Sequence, residues 1–396
     1  MNKIKNVIVI NDFDYIQGGA SKVAIQTANM LADNKYNVIF FSAVTSNNND
    51  LNNKVHKVCT YQKEAMKDNN KIRGFFNGIY NFKAKRKLKQ LLLTLDKEQT
   101  IIHVHGWTKA LSSSVFDIAF KMKFKVVLTM HDYFTACPNG GYFNYKKNEI
   151  CHLNPLSSKC IKCNCDSRNY VFKLYRIIRQ FVQNKVVKLN DRLTDVISIS
   201  EFSEKILKKT LNPRIKIHRV YNPIDLDKNP EKVDFKKNKY YLYVGRISKE
   251  KGVDIFCDAI TKTKQKGIVV GDGDQKKILE EKYSNIEFVG WKNSDEVKQY
   301  MKNAKALIFP SRWYETMGLT VLEAQNIGIP TIVASNTAAT DFVSDSFVFE
   351  NGNSDSLMHV INNLHNDCFF DNEFFLNDNN YVKNLIAAFL NTDGDL

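Results

Sequence analysis

The sequence contains the stretch Phe309-Pro-Ser-Arg-Trp-Tyr-Glu-Thr-Met-Gly-Leu-Thr-Val-Leu-Glu-Ala324, and the rest of the chain is best understood from it. The apolar run that ends at Phe309 predicts a short buried strand, which Pro310 terminates. Residues 319–325 predict a helix, and Gly318 leaves room for a ligand at its first turn. The free N–H groups of that turn, together with the helix dipole, attract an anion such as a phosphate. The stretch therefore predicts an anion site between a strand and a helix.

Two carboxylates flank this predicted anion site. Glu315 lies in the loop before the helix, and Glu323 lies within the helix itself. A carboxylate beside an anion site is best explained by hydroxyl groups that it binds, as on a ribose or a sugar ring. The alternative is a surface loop followed by a solvated helical glutamate, so the remainder of the chain must distinguish the two.

The composition is that of a globular protein with room for two domains. The 396 residues are 43% apolar and 25% charged, as is usual for folded soluble chains. The apolar run at residues 7–10 is too short for a secretory signal, and no run approaches the roughly 18 apolar residues of a membrane span. We therefore expect a cytoplasmic protein whose eight cysteines are mostly reduced.

Charge is divided unevenly between the two halves of the chain. Residues 1–219 hold 37 Lys and Arg against 16 Asp and Glu, whereas residues 220–396 hold 20 against 26, within a total of +15. The first half should therefore face an anionic partner, whether nucleic acid, an anionic membrane or a phosphorylated substrate.

The first half predicts a doubly wound α/β domain. A buried strand at residues 6–10 is followed by a loop with Gly18 and Gly19, which let backbone approach a ligand closely, and by a helix at residues 20–32. The alternation of strands and helices continues through a series of apolar runs. These further strands are predicted at residues 38–41, 101–105, 125–129 and 196–199.

One histidine in this half is a candidate for ligand contact. His131 follows the strand at residues 126–130, and the carboxyl ends of parallel strands line the ligand crevice of such sheets. It could donate a hydrogen bond to a substrate hydroxyl or a phosphate, although packing within the loop is the alternative. His103 and His105 lie on the preceding strand and are predicted to be structural.

Two basic segments interleave cations with apolar side chains. Residues 67–89 combine lysines and arginines with aromatics, and residues 170–189 predict a basic helix with an apolar face. Such segments suit nucleic acid or the interface of an anionic bilayer. We favour the membrane or a lipid phosphate because no recognised nucleic-acid module accompanies them, with a solvated basic face as the alternative.

Cysteines crowd into a predicted insertion at about residues 137–165. A four-thiolate structural zinc site could be built from Cys137, Cys151, Cys160 and Cys163. Because the spacing is irregular, free thiols are the main alternative and a disulfide is the lesser one. No metal is expected to take part in catalysis.

The second half predicts another α/β domain that begins at residue 220. Its first strand, at residues 240–244, leads into a loop with Arg246 and Lys251. Two cations at the carboxyl end of a strand suit a diphosphate through charge-assisted hydrogen bonds, although an ordinary basic loop is the alternative.

In their order along the chain, the motifs of the second half resemble those of family-4 retaining glycosyltransferases of the type that assembles polysaccharide or O-antigen. The Gly18-Gly19 loop and the His131-Asp132 pair fit the pattern of that family in the first domain. The motifs of the second half are residues 244–252, the glycine turn at 271–273, residues 288–290 and residues 310–324. The resemblance implies the α/β GT-B fold, in which two Rossmann-like domains of doubly wound parallel sheet face each other across a cleft.

The resemblance implies roles for the donor's diphosphate. Arg246 and Lys251 would hold it, aided by backbone N–H groups near Met317, Gly318 and Leu319. The side chains and backbone of the cleft would thus neutralise the negative charge of the diphosphate.

Further roles concern the sugar and the nucleoside. Glu323 would bind the ribose hydroxyls, and Glu315 would contact the donor sugar, with His131 approaching that sugar from the other domain. Val289 and Gly290 would lie against the base. Gly18 would belong to the donor-binding loop, and Gly19 would let that loop close on the donor.

The resemblance further implies the reaction and its setting. A hexosyl or N-acetylhexosaminyl group would move with retention, without a metal, from a UDP- or GDP-linked donor to a lipid-pyrophosphate saccharide in bacterial surface polysaccharide synthesis. The protein would lie on the inner face of the cytoplasmic membrane and would not bind nucleic acid. A sugar-nucleotide epimerase of the same architecture and an inactive GT-B binding subunit are the alternatives.

The sequence departs from the family pattern after Ser335. A Gly-Gly pair followed by Glu is frequent there, whereas this chain has Ala338, Ala339 and Asp341. The predicted domains are residues 1–219 for the acceptor and 220–378 for the donor. Residues 379–396 are predicted as a final helix that returns to the first domain.

Overall fold

The computed structural model describes residues 4–48, 50–224, 226–227, 230–364 and 378–391. Its strands are β1 (Asn6–Ile10), β2 (Asn37–Ser42), β3 (His56–Cys59), β4 (Thr100–Val104), β5 (Lys125–Thr129), β6 (Phe143–Asn144), β7 (Glu149–Ile150), β8 (Asp195–Ser198), β9 (Lys216–Arg219), β10 (Tyr240–Val244), β11 (Lys266–Val270), β12 (Ile286–Gly290), β13 (Ala304–Phe309), β14 (Thr331–Ala334) and β15 (Val348–Phe349).

The helices connect these strands and cover the sheets. They are α1 (Gly19–Asp33), α2 (Lys71–Ile79), α3 (Phe82–Leu92), α4 (Ser114–Lys121), α5 (Ser158–Lys162), α6 (Tyr170–Phe181), α7 (Leu189–Arg192), α8 (Glu201–Lys208), α9 (Val253–Lys262), α10 (Lys276–Lys282), α11 (Ser294–Lys302), α12 (Leu319–Asn326), α13 (Ser354–Asn362) and α14 (Asp378–Leu390).

Two parallel sheets form the framework. The first is seven-stranded in the order β3-β2-β1-β4-β5-β8-β9, and the second is six-stranded in the order β12-β11-β10-β13-β14-β15. Strand order reverses between β1 and β4 in one sheet and between β10 and β13 in the other, and ligands of doubly wound folds bind at such points. The predicted α/β fold with two Rossmann-like domains is confirmed.

The long apolar strands appear where the sequence predicts them. The strands β1, β5 and β10 have the predicted bounds, and each is largely buried on both faces. This is the pattern of a parallel sheet covered by helices. The predicted boundary at residue 220 falls between the last strand of the first sheet, β9, and the first strand of the second, β10.

The helix predicted at residues 170–189 is shorter in the structure. The helix α6 ends at Phe181, a π-helical turn follows at Val182–Val186, and Lys188 adopts a left-handed backbone with φ of 56°. Within the π turn, the buried Gln183 amide donates to the carbonyl of Phe134 at 3.1 Å. The wider turn places that amide toward the core, at the cost of helix continuity.

The helix α14 packs on the first domain although it follows the second in sequence. Its Leu385 and Phe389 belong to the apolar cluster that covers one face of the first sheet, with Val7 and Val9. Tyr381 Oη lies 2.6 Å from Thr27 Oγ1 of α1. The chain therefore crosses from the first domain to the second and back again.

Candidate functional site

A cavity of about 900 Å³ lies at the carboxyl ends of the central strands, and both domains line it. From the first domain it receives the start of α1 and the loops after β1, β4 and β5. From the second it receives the loops after β10 and β13. The predicted site residues in its wall are Gly18, Gly19, His131 and Arg246.

The start of α1 opens onto this cavity. Ser21 Oγ accepts hydrogen bonds from the backbone N–H groups of Gln17 at 2.8 Å and Gly18 at 3.0 Å, which fixes the first turn. A Cβ atom added at Gly18 or Gly19 would meet no atom within 4 Å. The two glycines thus leave the helix N-terminus open to a ligand, which is the arrangement that favours an anion.

His131 lies at the end of β5, as the sequence predicts. Burial lowers its pKa to about 4, so the ring is neutral at pH 7. Its backbone carbonyl accepts a hydrogen bond from Thr316 Oγ1 of the second domain at 3.0 Å. His131 is therefore positioned by both domains.

His105 belongs to the site, although we expected it to be only structural. It lines the cavity, and its Nδ1 lies 2.8 Å from Nε2 of His131. The available signal was that His105 directly follows β4, the strand that pairs with β5, so both histidines reach the same sheet edge. Sequence spacing alone does not reveal that the two rings touch.

The predicted diphosphate and sugar residues contact each other. The Lys251 ammonium is paired with Glu315 Oε1, and the same oxygen accepts a hydrogen bond from Ser311 Oγ at 2.9 Å. The Lys251 ammonium also lies 5.4 Å from the ring centroid of Trp313. Glu315 is thus a buried acceptor that Lys251 and Ser311 hold in place.

A tight turn makes this contact possible. Gly252 has φ of +66°, and a Cβ there would lie 2.0 Å from the carbonyl oxygen of Pro310. Only glycine permits the turn that carries Lys251 to pack so closely on the end of β13. Arg246 in the same loop pairs with the buried Glu250 and still faces the cavity.

Arg246 is the predicted second-domain residue in the cavity wall; Lys251, Glu315 and the remaining predicted donor residues lie in the second domain outside that wall. Gly318 precedes α12, and a Cβ there would lie 3.1 Å from Ala339. The Ala338-Ala339 loop, which differs from the family pattern, therefore packs against the start of this helix. Met317 and Leu319 pack with the apolar cluster of the first domain. Glu323 is half-buried on α12, and Val289 and Gly290 end β12.

Several residues of the cavity wall were not predicted. Asp132 follows His131, and burial raises its pKa to about 6. Trp313 comes from the opening stretch, and a Cβ at Gly141 would lie 2.6 Å from its ring, so the tryptophan packs on the first domain. The remaining additions include polar and basic groups of the loops, Asn11, Lys109, Lys146, Arg168, Ser248 and Lys249, and Arg176 of α6.

The thiols of the insertion gather around a buried ammonium. Lys173 is fully buried, and its Nζ lies 3.6 Å from Cys160 Sγ. Burial disfavours its charge, yet the neighbouring Cys165 and Cys160 hold its pKa above the ordinary value. Cys165 is buried as well, and Asn139 Nδ2 donates to its sulfur at 3.2 Å.

The thiols as they stand do not fit the zinc site that the sequence predicts. Within the described residues, no three histidine, cysteine, aspartate or glutamate side chains are close enough together to hold a metal ion. Cys137, Cys151, Cys160 and Cys163 are free thiols in one insertion, and the ammonium of Lys173 lies among the group. Zinc binding here stays a prediction.

The first domain carries an exposed apolar and basic surface, which we call the α2–α6 face. The rings of Phe75 and Tyr175 are 5.3 Å apart and join α2 to α6. Lys85 is not part of it, because Asp117 binds its ammonium at 2.7 Å. Its exposed apolar side chains are Ile72, Phe75, Phe76, Phe82, Val171, Leu174, Ile178 and Phe181. Its exposed cations on α3 are Lys83, Arg86, Lys87 and Lys89.

None of the described helices is both long enough and apolar enough to cross a bilayer.

Family models match almost the whole chain. The model described as Glycosyltransferase Family 4 matches residues 17–228, and the model described as glycosyl transferases group 1 matches residues 225–374. A protein from a solved structure, the Anabaena protein HepE in complex with UDP and glucose, is 15% identical. The likeness covers 92% of this chain and 90% of that one, with a TM-score of 0.57, and it supports the GT-B fold.

Two curated relatives are similar in sequence. An uncharacterised 41.2 kDa protein from the cps region of Klebsiella pneumoniae is 26% identical over 61% of this chain and 71% of its own length. An Escherichia coli UDP-Gal:α-D-GlcNAc-diphosphoundecaprenol α-1,3-galactosyltransferase is 24% identical over 48% of this chain and 55% of its own length. With the GT-B fold and a family match over more than half of its residues, the chain belongs to glycosyltransferase family 4.

Proposed function

We propose that the protein transfers a sugar, with retention and without a metal, from a nucleotide-diphospho-sugar to a lipid-linked saccharide during the synthesis of a bacterial surface polysaccharide. The cavity between the domains carries this proposal. It joins cations of the second domain to a neutral histidine and an open helix start of the first. A diphosphate and a sugar need these two kinds of contact at once.

The donor is proposed to bind mainly to the second domain. Arg246 and Lys251 bind the diphosphate, the N–H groups around Gly318 assist them, and Glu323 binds the ribose. Val289 and Gly290 lie against the base. The complex of HepE with UDP and glucose supports a UDP-linked donor, and GDP stays open.

In the proposed reaction the acceptor hydroxyl attacks the anomeric carbon on the face that the diphosphate leaves. The bond from that carbon to the diphosphate oxygen breaks, a bond to the acceptor oxygen forms, and the hydroxyl proton passes to a phosphate oxygen. Lys251 and Arg246 stabilise the leaving charge, which carries most of the rate effect. Glu315 contacts the sugar hydroxyls, since Lys251 and Ser311 hold its carboxylate in place.

The acceptor is proposed to reach the cleft from a membrane. The α2–α6 face offers apolar side chains and cations together, which suits the interface of an anionic bilayer. The segment before α6 also lines the cavity through Arg168, so this face and the cleft are adjacent in the chain. The Escherichia coli relative, named for a diphosphoundecaprenol acceptor, supports a lipid-pyrophosphate acceptor. On this proposal the protein is peripheral on the inner face of the cytoplasmic membrane.

A thermal-shift panel of UDP-, GDP- and ADP-sugars tests the donor site. At least one nucleotide should raise the melting temperature, because a ligand that binds only the folded state stabilises it. If no nucleotide does so, the donor site is wrong. The stabilising donor is then incubated with a lipid-pyrophosphate saccharide.

The products of that incubation separate the alternatives. Transfer yields an extended lipid saccharide with the α or β configuration of the donor. An epimerase would change the nucleotide sugar without the lipid, and an inactive binding subunit would leave both unchanged. A nucleic-acid binder would instead show high, steeply salt-dependent affinity for DNA or RNA.

A structural zinc in the insertion is a separate proposal, and it would require the thiols to move closer together. Metal analysis of protein prepared without chelators measures it. About one equivalent of zinc that is lost in Cys160→Ser but kept in Cys257→Ser would support the site. Cys257 is the matched control because it is buried in the second domain, away from the insertion. A zinc-free protein with all thiols titratable would refute it.

A further inference from the structure

A chain of buried side chains runs inward from His131. His131 Nε2 lies 2.8 Å from His105 Nδ1, and His105 Nε2 lies 3.3 Å from His103 Nδ1. His103 Nε2 then lies 2.7 Å from Thr129 Oγ1. His103 and His105 have 0% and 2% of their surface exposed, and Thr129 has 3%. Both ring nitrogens of His103 and of His105 therefore take part in this chain of hydrogen bonds.

All three rings are neutral at pH 7. Burial lowers the pKa of His103 to about 3 and that of His131 to about 4. Burial also lowers the pKa of His105, and the neighbouring histidines lower it further. A neutral imidazole has one N–H donor and one acceptor nitrogen. Three rings in a row can therefore share their protons in only two fully bonded ways, one the reverse of the other.

The Thr129 hydroxyl distinguishes these two arrangements. If His103 donated to it, the hydroxyl proton would need a different acceptor. Within the described part of the protein, the hydrogen bond of this oxygen is the one to His103 Nε2. A buried donor without a partner is costly, by about 1–3 kcal/mol. The hydroxyl therefore donates to His103 Nε2.

The direction of the remaining bonds follows from that first one. His103 keeps its proton on Nδ1 and donates to His105 Nε2. His105 in turn keeps its proton on Nδ1 and donates to His131 Nε2. His131, whose Nε2 is now an acceptor, keeps its proton on Nδ1, the ring nitrogen that the chain does not use.

We propose that Thr129, His103 and His105 are positioning residues that fix His131 as an Nδ1–H donor toward the cavity. The acceptor of this hydrogen bond is a sugar hydroxyl or a phosphate oxygen of the nucleotide sugar. Only the identity of this acceptor rests on the proposed function. A histidine N–H group whose proton is fixed in advance needs no rearrangement when the ligand binds. A histidine free to exchange tautomers would present a lone pair part of the time.

The C-terminal helix completes the support. Phe389 of α14 meets the ring of His103 edge to face, with 5.1 Å between the ring centroids. The inner end of this hydrogen-bond chain is therefore covered by an apolar ring. The helix that returns from the second domain thus shields the buried end of the chain.

The tautomer of His131 tests this proposal directly. Long-range ¹H–¹⁵N spectra of protein labelled at its eight histidines show which ring nitrogen carries the proton, and loss of one signal in His131→Gln assigns the residue. We expect the wild type to show His131 protonated on Nδ1. A proton on Nε2 in the wild type would overturn the proposal, whether or not the protein proves to be a transferase.

Paired variants at Thr129 provide the second test. Thr129→Ser keeps the hydroxyl and should keep the wild-type tautomer, whereas Thr129→Val removes it at nearly the same volume and should leave a mixture. Once a transfer assay exists, Thr129→Val should lower kcat about tenfold, the effect of one hydrogen bond, with unchanged donor KM. An unmixed wild-type tautomer in a folded Thr129→Val would contradict the direction of the chain. Should that variant fail to fold, the His131 tautomer in the wild-type spectrum still tests the proposal.

Discussion

The two domains share a strand order but oppose each other in charge. In both parallel sheets the strand order reverses beside the first strand, which is β1 in one sheet and β10 in the other. The first domain has an excess of 21 basic residues up to residue 219, and the second has an excess of 6 acidic residues. Yet the fixed cations proposed for the diphosphate, Arg246 and Lys251, belong to the acidic domain.

Net charge therefore does not locate the donor site in this protein. In the second domain, a few cations stand at the end of one strand, where Glu250 and Glu315 hold them in place. In the first domain exposed cations are spread over the surface, among them those of the α2–α6 face. A short-range contact selects a ligand, whereas a spread of surface charge attracts an anionic partner over a longer range and is screened by salt.

The largest effect should come from Glu315 in the second domain. In Glu315→Gln, kcat for transfer should fall by about 10²–10³, the range for removing one group that stabilises a transition state. Nucleotide affinity should stay within about twofold, because the ribose and base contacts are intact. Rates and binding are measured separately, by single-turnover transfer and by calorimetry.

Glu287→Gln serves as the matched control for that variant. Glu287 is an exposed carboxylate on β12 of the same domain, and its change should leave both quantities unaltered. If Glu315→Gln transferred sugar at the wild-type rate, Glu315 would not contact the reacting sugar.

A smaller effect, on binding, is expected at Glu323. Glu323→Ala should raise the Kd of the bare nucleoside diphosphate about tenfold, because one pair of ribose hydrogen bonds is worth about 1.4 kcal/mol. At saturating donor, kcat should stay near that of the wild type. Equal affinity of wild type and variant in a titration with UDP would show that the ribose lies elsewhere.

Liposome flotation tests the anionic partner of the first domain. Changing Lys83, Arg86 and Lys87 to Gln should reduce flotation with anionic vesicles about tenfold or more, since each cation near such a surface contributes about 1 kcal/mol. The matched control removes the same charge from the second domain by changing Lys264, Lys266 and Lys277, all exposed. Equal losses in the two variants would mean that total charge, rather than the α2–α6 face, drives binding.

The smallest effect is a pH-dependent change of stability at Asp132. Burial raises its pKa to about 6 from an ordinary value of 3.8, so the folded state prefers the protonated form. Stability is therefore lost as pH rises through that interval, when the unfolded carboxyl has already ionised. Asp132→Asn should raise the melting temperature by a few degrees at pH 7.5 and by less at pH 4. A loss of stability at pH 7.5 would contradict the assignment.

The sequence revealed the parts of the fold that depend on continuous apolar runs. The strands β1, β5 and β10 are buried on both sides, so each is a run of apolar residues with abrupt ends. The edge strand β3 was missed because its first residues, His56 and Lys57, are exposed and polar. The two-residue strands β6 and β7 of the insertion are too short to leave a pattern.

The site was predictable residue by residue but not contact by contact. His131 could be placed because it ends a predicted strand. The pairing of Lys251 with Glu315 could not, since the two are 64 positions apart and meet through a glycine turn. The buried Lys173 was likewise missed, because a lysine within an amphipathic helix is ordinarily on its solvated side.

The return of α14 to the first domain also has a mechanical consequence. The second domain is joined to the first at both of its ends, once between β9 and β10 and once between α13 and α14. A body attached at two points can turn easily only about the line through them. We therefore expect opening and closing of the cleft to be a hinge rotation about that line, with Thr316 meeting the carbonyl of His131 in the closed form.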